Sequence, residues 1–328
     1  MARIHILGAG ISGLWQAIML QSRGHTVSLH DPAGIPSSAA ASRFAGAMLA
    51  PYCEGEAGHE LVRELGMQSV EIWKAVYPAT IMSGTLVVAA ARDQAELRRF
   101  SNVTAGHRAI GKTELTELEP GLGERFAQAL YYPDEGHVET MAALTFLAEA
   151  VKDKCVDFRD GEKSADFIVD CTGIAAREQL KTLRGVRGER LLIECPSVSL
   201  KRPVRLLHPR IPFYIVPWAG SRFMAGATVI ESEDAGEITV RSALELLSAA
   251  YSLEPLFGEA RLLEAVAGVR PAFPDNLPKV IVRGRHIFVN GLYRHGFLLS
   301  PILAQLTADY IESGTMREGI VFEDQGEW

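Results

Sequence analysis

The chain has 328 residues, a formal net charge of −7 and a hydrophobic fraction of 48%, values typical of a globular protein with one or two domains. The negative charge, with no basic stripe, argues against nucleic-acid binding. No stretch reaches the roughly 18 consecutive apolar residues of a membrane span. The first residues already have a strand pattern, so we expect neither a membrane segment nor a signal peptide.

The four cysteines indicate a reducing compartment. Cys53, Cys155, Cys171 and Cys195 show no C-x-x-C spacing and lie in apolar or strand-like surroundings. Metal sites and redox pairs use closely spaced cysteines, and disulfide frameworks belong to shorter, cysteine-rich chains. The pattern predicts reduced core thiols in a cytoplasmic protein, with no metal site.

The first 31 residues form the most informative motif. A short apolar run at Arg3–Leu7 precedes the turn Gly8–Gly13, which has the pattern G-x-G-x-x-G; a helical stretch and a second apolar run ending at Asp31 follow. The glycines permit a tight turn and the close approach of a pyrophosphate, which the N–H groups at the helix start bind. The acidic residue is placed to accept hydrogen bonds from a ribose. The motif predicts an adenine dinucleotide site and does not distinguish NAD from FAD.

Helix and strand patterns alternate at both ends of the chain, whereas strand patterns dominate its middle. Further helices are predicted at residues 59–75, 93–100, 139–152, 239–251 and 297–311. Further strands are predicted at residues 84–91, 130–132, 156–159, 167–170, 190–194, 213–216, 222–227, 279–283 and 286–290. This order predicts an α/β fold: a discontinuous, Rossmann-like domain with an inserted antiparallel-sheet substrate domain. We expect residues 1–78, 133–186 and 262–328 in the dinucleotide domain and residues 79–132 and 187–261 in the substrate domain.

Three further segments favour FAD over NAD. Residues 37–48 (SSAAASRFAGAM) are rich in small side chains that let the backbone approach a phosphate chain or a ring. Residues 167–173 (FIVDCTG) indicate a buried strand that meets the cofactor at its Thr-Gly end. Each of these two segments alone is also compatible with an ordinary loop or strand end. Residues 289–301 (VNGLYRHGFLLSP) place a cationic loop and a helix start late in the chain, suited to stabilising the negative charge of a reduced flavin.

These segments resemble the D-amino-acid oxidase-like family of FAD-dependent oxidoreductases, and within it most closely the glycine oxidases of thiamine biosynthesis. Residues 42–51, 133–139, 214–217, 226–228, 268–271 and 291–301 carry the resemblance in the expected order. It implies that the Rossmann-like domain binds FAD, non-covalently because no cysteine follows Cys195. The chain departs from the family pattern at residues 156–167, which are short, and at Val229, where some relatives have methionine.

The motifs and the resemblance together imply the residues of the site. Those expected to bind the cofactor are Gly8, Ala9, Gly10, Ile11, Ser12, Gly13, Asp31, Ala41, Ser42, Gly46, Ala47, Met48, Val156, Thr172, Gly173, Leu292, Tyr293, Arg294, His295, Gly296, Phe297 and Leu298. Arg270 is expected to bind the substrate carboxylate, Tyr214 to line the same pocket and Arg294 to face the substrate. A guanidinium suits bidentate carboxylate binding. The alternatives are a structural ion pair for Arg270 and a packed core tyrosine for Tyr214.

The expected reaction is oxidation of glycine, or of other small amines, to the imine by hydride transfer to the flavin, with oxygen reduced to hydrogen peroxide. The imine would supply thiazole and thiamine biosynthesis. Three alternatives stay open: an FAD-dependent oxidase or dehydrogenase of another small amine such as sarcosine or a D-amino acid, a non-catalytic FAD-binding protein, and an NAD-dependent reductase. The sequence sets neither the physiological acceptor nor the oligomeric state, although the resemblance suggests a homo-oligomer.

Overall fold

The computed structural model describes residues 1–57, 60–156, 161–208, 212–324 and 326. Its strands are β1 Arg3–Leu7, β2 Thr26–His30, β3 Met48–Leu49, β4 Thr85–Ala89, β5 Arg108–Gly111, β6 Gln128–Tyr132, β7 Gly136–His137, β8 Phe167–Asp170, β9 Arg184–Glu194, β10 Val204–Leu207, β11 Pro212–Trp218, β12 Arg222–Gly226, β13 Arg261–Ala272, β14 Lys279–Arg283, β15 His286–Asn290 and β16 Val321–Glu323. Its α-helices are α1 Ile11–Ser22, α2 Pro51–Glu54, α3 Glu60–Val76, α4 Gln94–Val103, α5 Lys112–Leu118, α6 Pro120–Gly123, α7 Thr140–Lys152, α8 Val240–Leu253 and α9 Gly296–Ser313.

The first sheet has six strands in the order β16-β14-β15-β8-β1-β2. Strands β15, β8, β1 and β2 run parallel to one another, so their carboxyl ends meet at one edge of the sheet. Helices α1, α3, α7 and α9 contribute to its apolar core. In that core the rings of Trp15 and Trp73 pack edge to face with centroids 4.8 Å apart, and Trp73 stacks on Phe297. The arrangement is a Rossmann-like, mostly parallel sheet whose binding edge is defined by the parallel strand ends.

The second sheet has eight strands in the order β13-β9-β12-β11-β10-β4-β6-β5. Its neighbouring strands are antiparallel except β4 and β10, which pair in parallel. Leu246 and Leu253 of α8 pack with Leu191 and Phe213 in an apolar cluster on one face. Because side chains alternate along a strand, residues such as Tyr214 and Gly188 lie on the opposite face. A small antiparallel pair, β3 with β7, joins the loop after β2 to the turn before α7.

Most predicted elements are confirmed, and several strands have their predicted bounds, among them β1, β2, β8, β14 and β15. The prediction at residues 190–194 was too short, because β9 begins at Arg184 and pairs with the twelve-residue strand β13. The glycines and charged residues in β9 interrupt the apolar alternation on which the prediction relied. The proposed domain boundaries placed β13 almost entirely in the dinucleotide domain, whereas it pairs within the eight-stranded sheet.

Other differences are local. The elements that were not predicted are the strands β3, β5, β7, β10, β13 and β16 and the short helices α2, α5 and α6. Of the strand predicted at residues 156–159, only Val156 is among the described residues, and it lies outside any strand. All four cysteines are free thiols, and Cys53, Cys171 and Cys195 are buried. Within the described part of the chain, no helix combines the length and apolar character required to cross a membrane.

Candidate active site

The glycine turn between β1 and α1 forms a close backbone cradle. Gly8 has φ +92°, and a Cβ there would lie 2.6 Å from the carbonyl oxygen of Cys171; a Cβ at Gly13 would lie 1.8 Å from that of Gly8. Helix α1 starts after Gly10 with no side-chain cap and no acidic residue in its first turn. Its N–H groups and dipole are therefore suited to an anion. The turn has the geometry that the predicted pyrophosphate site requires.

Asp31 and the small-residue loop lie beside that turn. The Asp31 carboxylate accepts hydrogen bonds from the backbone N–H groups of Ala9 and Ala33, both at 2.8 Å, and each oxygen retains lone pairs for a further donor. On the other side, Ser42 Oγ accepts from the N–H of Ile11 at 3.3 Å. The structure therefore brings together the turn, the acidic residue and the start of the loop, as a dinucleotide site requires.

The ends of β8 and β15 complete this edge of the sheet. Thr172 donates from both its N–H and its hydroxyl to Asp170, and the Asn290 amide donates to the carbonyl of Gly173 at 2.8 Å. Val156 lies further along, beside β2, where its N–H donates to Val27 at 3.0 Å and its side chain is exposed. Ser12 approaches Cys171 on the buried side of the turn.

The small-residue loop continues from Ala41 to the face of the eight-stranded sheet that carries Tyr214. A Cβ at Gly46 would lie 2.7 Å from Tyr214 Cε2 and would also collide with Met224. Ala47 has φ +51° and is buried, and Met48 starts β3. The absence of a side chain at Gly46 thus permits direct contact between the predicted cofactor loop and the predicted substrate-pocket tyrosine.

The guanidinium of Arg270, a residue of β13, lies against the backbone of Gly188 on the neighbouring strand β9. A Cβ at Gly188 would lie 2.0 Å from Arg270 Nη2, and Nη1 donates to the carbonyl of Thr228 at 3.1 Å. Burial lowers the pKa of Arg270, against a smaller opposing influence of Tyr214. Among the described residues, no carboxylate forms an ion pair with Arg270. The structural ion pair that was the alternative for Arg270 is thus not found among the described residues, and carboxylate binding by Arg270 stays a prediction.

Arg294 follows β15 and pairs with a partly buried carboxylate, that of Glu54. Its Nη2 donates to Glu54 Oε1 at 3.1 Å, and His295 Nδ1 lies 3.4 Å from Glu54 Oε2. Burial alone would raise the pKa of Glu54, but Arg294, His295 and Arg205 outweigh it and the pKa is lowered. Burial likewise acts to lower the pKa of Arg294, and Glu54 reverses this effect so that the pKa is raised. This arginine and carboxylate form a charge-compensated pair.

The remaining residues of the late loop connect the two sheets. The N–H of Tyr293 donates to the carbonyl of Pro271 at 2.8 Å, and Leu292 forms an isolated antiparallel β-bridge with Ala272. Both partners lie within two residues of Arg270. Gly296 begins α9. Phe297 and Leu298 have side chains in the core: Trp73 Nε1 donates to the carbonyl of Phe297 at 2.7 Å, and Leu298 packs beside Gly66. These two residues can therefore contact a cofactor only through their backbone atoms.

Sequence reasoning missed two residues of this site. Glu54 is the one acidic side chain in the apolar stretch at residues 45–54, and an acid at that position was a signal for a buried ion pair. Gly188 interrupts the strand pattern of β9, and a glycine inside a strand often marks a close approach of another group. Recognising that the group is the Arg270 guanidinium requires the register in which Gly188 opposes Gly268.

Comparisons with known proteins agree with this geometry. The family described as DAO, FAD-dependent oxidoreductase, matches residues 3–310. A Rhizobium etli protein assigned as the thiamine biosynthesis oxidoreductase ThiO is 50% identical over 308 residues, which cover 92% of this chain and 94% of the relative. The glycine oxidase of Geobacillus kaustophilus is 29% identical over 94% of this chain and 92% of its own length. Its crystal structure superposes with a TM-score of 0.81 at 25% identity, covering 97% of this chain and 96% of that one.

Proposed function

Because the chain belongs to the DAO family of FAD-dependent oxidoreductases, we propose that it oxidises glycine to the imine, which supplies thiamine biosynthesis. Two similar proteins support the substrate: the Rhizobium etli relative assigned as ThiO and the Geobacillus kaustophilus glycine oxidase. The observation that carries the proposal is the Arg270 guanidinium, which lies against Gly188 beside Tyr214 and has no carboxylate partner among the described residues. Such a group is suited to a small carboxylate ligand.

FAD fits the cradle at Gly8–Gly13, where a side chain at Gly8 or Gly13 would collide with backbone atoms. We assign its pyrophosphate to the start of α1, its ribose to Asp31 and its ring to the loops at residues 41–48 and 292–296. When bound, FAD supplies the two-electron oxidation of the substrate's carbon–nitrogen bond. Val156 stays a predicted contact to the adenine, and Thr172 and Gly173 stay predicted contacts at the edge of the sheet.

The chain's own residues bind and orient the substrate. The Arg270 guanidinium donates to the two carboxylate oxygens, while its hydrogen bond to Thr228 and its seat on Gly188 restrict its rotation. Orientation of this kind supplies several kcal/mol of the catalytic effect. The Tyr214 hydroxyl lines the same pocket. Arg294 stays paired with Glu54, so it contributes hydrogen bonds without adding net charge.

We further propose that oxygen is the electron acceptor and is reduced to hydrogen peroxide. The four free thiols suit a cytoplasmic enzyme. A homo-oligomer remains our expectation from the family resemblance.

The test is a product assay with the purified holoenzyme in air. Glycine should yield glyoxylate, ammonia and hydrogen peroxide in equal amounts, since the imine hydrolyses in water. Sarcosine and D-alanine are tested separately as alternative substrates, one a secondary amine and the other a D-amino acid. Product from one of them with none from glycine would retain the family chemistry but overturn the substrate. No product from any amine would overturn the proposed function.

A further inference from the structure

The charges around Arg270 extend the proposed function to the class of carboxylate that the pocket admits. Two arginines, Arg270 and Arg294, lie in the predicted substrate region, and their segments are in contact because the N–H of Tyr293 donates to the carbonyl of Pro271 at 2.8 Å. Burial is the main cause of the lowered pKa of Arg270, and the charge of Arg294 acts in the same direction. Glu54 pairs with Arg294 at 3.1 Å. Arg270, Arg294 and Glu54 together therefore carry one formal net positive charge, and of the two arginines Arg270 is the one that pairs with no described carboxylate.

The neighbouring arginines are compensated by other carboxylates. Arg205 Nη2 lies 2.5 Å from Glu56, which also pairs with Arg99 at 2.8 Å. On the sheet, Arg190 pairs with Glu264 at 2.8 Å. The closest carboxylate partner of each of these arginines is a residue other than Glu54, although Arg205 Nη1 lies 4.0 Å from Glu54 Oε1. A change at Glu54 would therefore release chiefly Arg294.

Glu54 is fixed in place from two sides. It ends the four-residue helix α2, whose first N–H groups, those of Tyr52 and Cys53, donate to the buried carboxyl of Glu135 at 2.9 and 2.7 Å. Its side chain is only 15% exposed and contacts Arg294 and His295 at the start of α9. The carboxylate cannot turn to solvent without breaking these contacts, so its charge is a constant feature of the pocket.

We infer that Glu54 determines specificity: by compensating Arg294, it restricts the pocket to amines that carry a single carboxylate. A monocarboxylate neutralises Arg270 and leaves the pocket without net charge. For a second carboxylate on the ligand, Arg294 is already paired with Glu54, and the negative charge of Glu54 lies beside it. Like charges in a poorly solvated site repel strongly, so binding of the second carboxylate is disfavoured. This inference rests on the proposed function, because it takes Arg270 as the carboxylate-binding residue.

The experiment compares two unreactive ligands that differ by one carboxylate, glycolate and tartronate, with lactate as the control for added size. Each is titrated into the holoenzyme, and the change in the flavin absorption spectrum gives a dissociation constant. The wild type should bind glycolate at least about tenfold more tightly than tartronate. In Glu54→Gln, tartronate affinity should rise about tenfold or more relative to the affinities for glycolate and lactate, because glutamine retains the hydrogen bond to Arg294 and removes only the charge.

Glu56→Gln is the matched control, with the same chemical change two residues away on a carboxylate that pairs with Arg205 and Arg99. It should change the ratio of tartronate to glycolate affinity much less than Glu54→Gln does, because Glu56 pairs with Arg205 and Arg99 rather than with Arg294. An unchanged ratio in Glu54→Gln, or an equal loss of affinity for both ligands, would overturn the inference and assign Glu54 a structural role. If the wild type binds none of the three ligands, the carboxylate pocket itself, and with it the proposed function, is wrong.

Discussion

Gly188→Ala adds a single methyl group where the Arg270 guanidinium contacts the backbone of Gly188, and so tests whether the position of the guanidinium matters. The new Cβ would lie 2.0 Å from Arg270 Nη2, whereas ordinary van der Waals contact begins at 3.4 Å. The guanidinium must therefore move by about 1.4 Å. Misplacement of a binding group by about 1 Å can cost a hundredfold in rate, so we expect kcat/KM for glycine to fall about a hundredfold, equivalent to about 2.7 kcal/mol of transition-state stabilisation.

The collision involves the flexible end of a side chain, so the fold should tolerate it. Bound FAD and the melting temperature should stay close to those of the wild type, which separates loss of positioning from loss of folding. Steady-state kinetics of Gly188→Ala, Arg270→Ala and the double variant form a mutant cycle. If the alanine acts through Arg270, the double variant is no slower than Arg270→Ala. Wild-type kcat/KM in Gly188→Ala, or fully additive losses, would refute the reasoning.

Three further results are expected. Arg270→Ala should weaken glycolate binding about a hundredfold or more in a spectral titration with little change in melting temperature, because no described carboxylate loses a partner; unchanged glycolate affinity would contradict its role. Gly13→Ala should lose FAD and several kcal/mol of stability by thermal unfolding, because its Cβ would meet the backbone oxygen of Gly8; a stable yellow variant would contradict the cradle. The third result concerns pH: burial raises the pKa of Glu135 from 4.5 to about 7 and lowers that of His137 from 6.5 to about 4. Between about pH 4.5 and 6.5, Glu135 is protonated in the native state and deprotonated in the unfolded chain, so the contribution of Glu135 to stability falls as pH rises. His137 is neutral in the native state and protonated in the unfolded chain, so the contribution of His137 to stability increases as pH rises. Glu135→Gln should leave only the second effect, and the free energy of unfolding in urea should increase by about 2 kcal/mol over this range; a profile that matches the wild type would contradict it.

The nucleotide-binding half could be predicted because its determinants are local in sequence. The turn Gly8–Gly13, the strand that ends at Asp31 and the helix α9 are each coded by short patterns, and parallel strand order then places their ends together. The position of β13 could not be read in this way. Its pairing with β9 joins residues that are 67 to 88 positions apart in the chain, and charged residues on the pocket face hide the strand pattern.

The same limit applies to the site. Arg270 and Tyr214 could be proposed from their motifs, but their alternatives, an ion pair and a packed core tyrosine, could be weighed only once the partners were known. Glu54 and Gly188 act through side-chain contacts with residues far away in the sequence, Arg294 and Arg270. Such contacts follow from tertiary packing, which no local pattern encodes.

The most direct test of the central claim is to mix the holoenzyme with glycine in the absence of oxygen and follow the visible flavin absorbance. We expect glycine to bleach the flavin at a rate at least equal to turnover, and colour to return with hydrogen peroxide when air is admitted. A flavin that stays yellow with glycine, while sarcosine or D-alanine bleaches it, would contradict glycine as the substrate. A flavin bleached by none of the three would contradict amine oxidation itself.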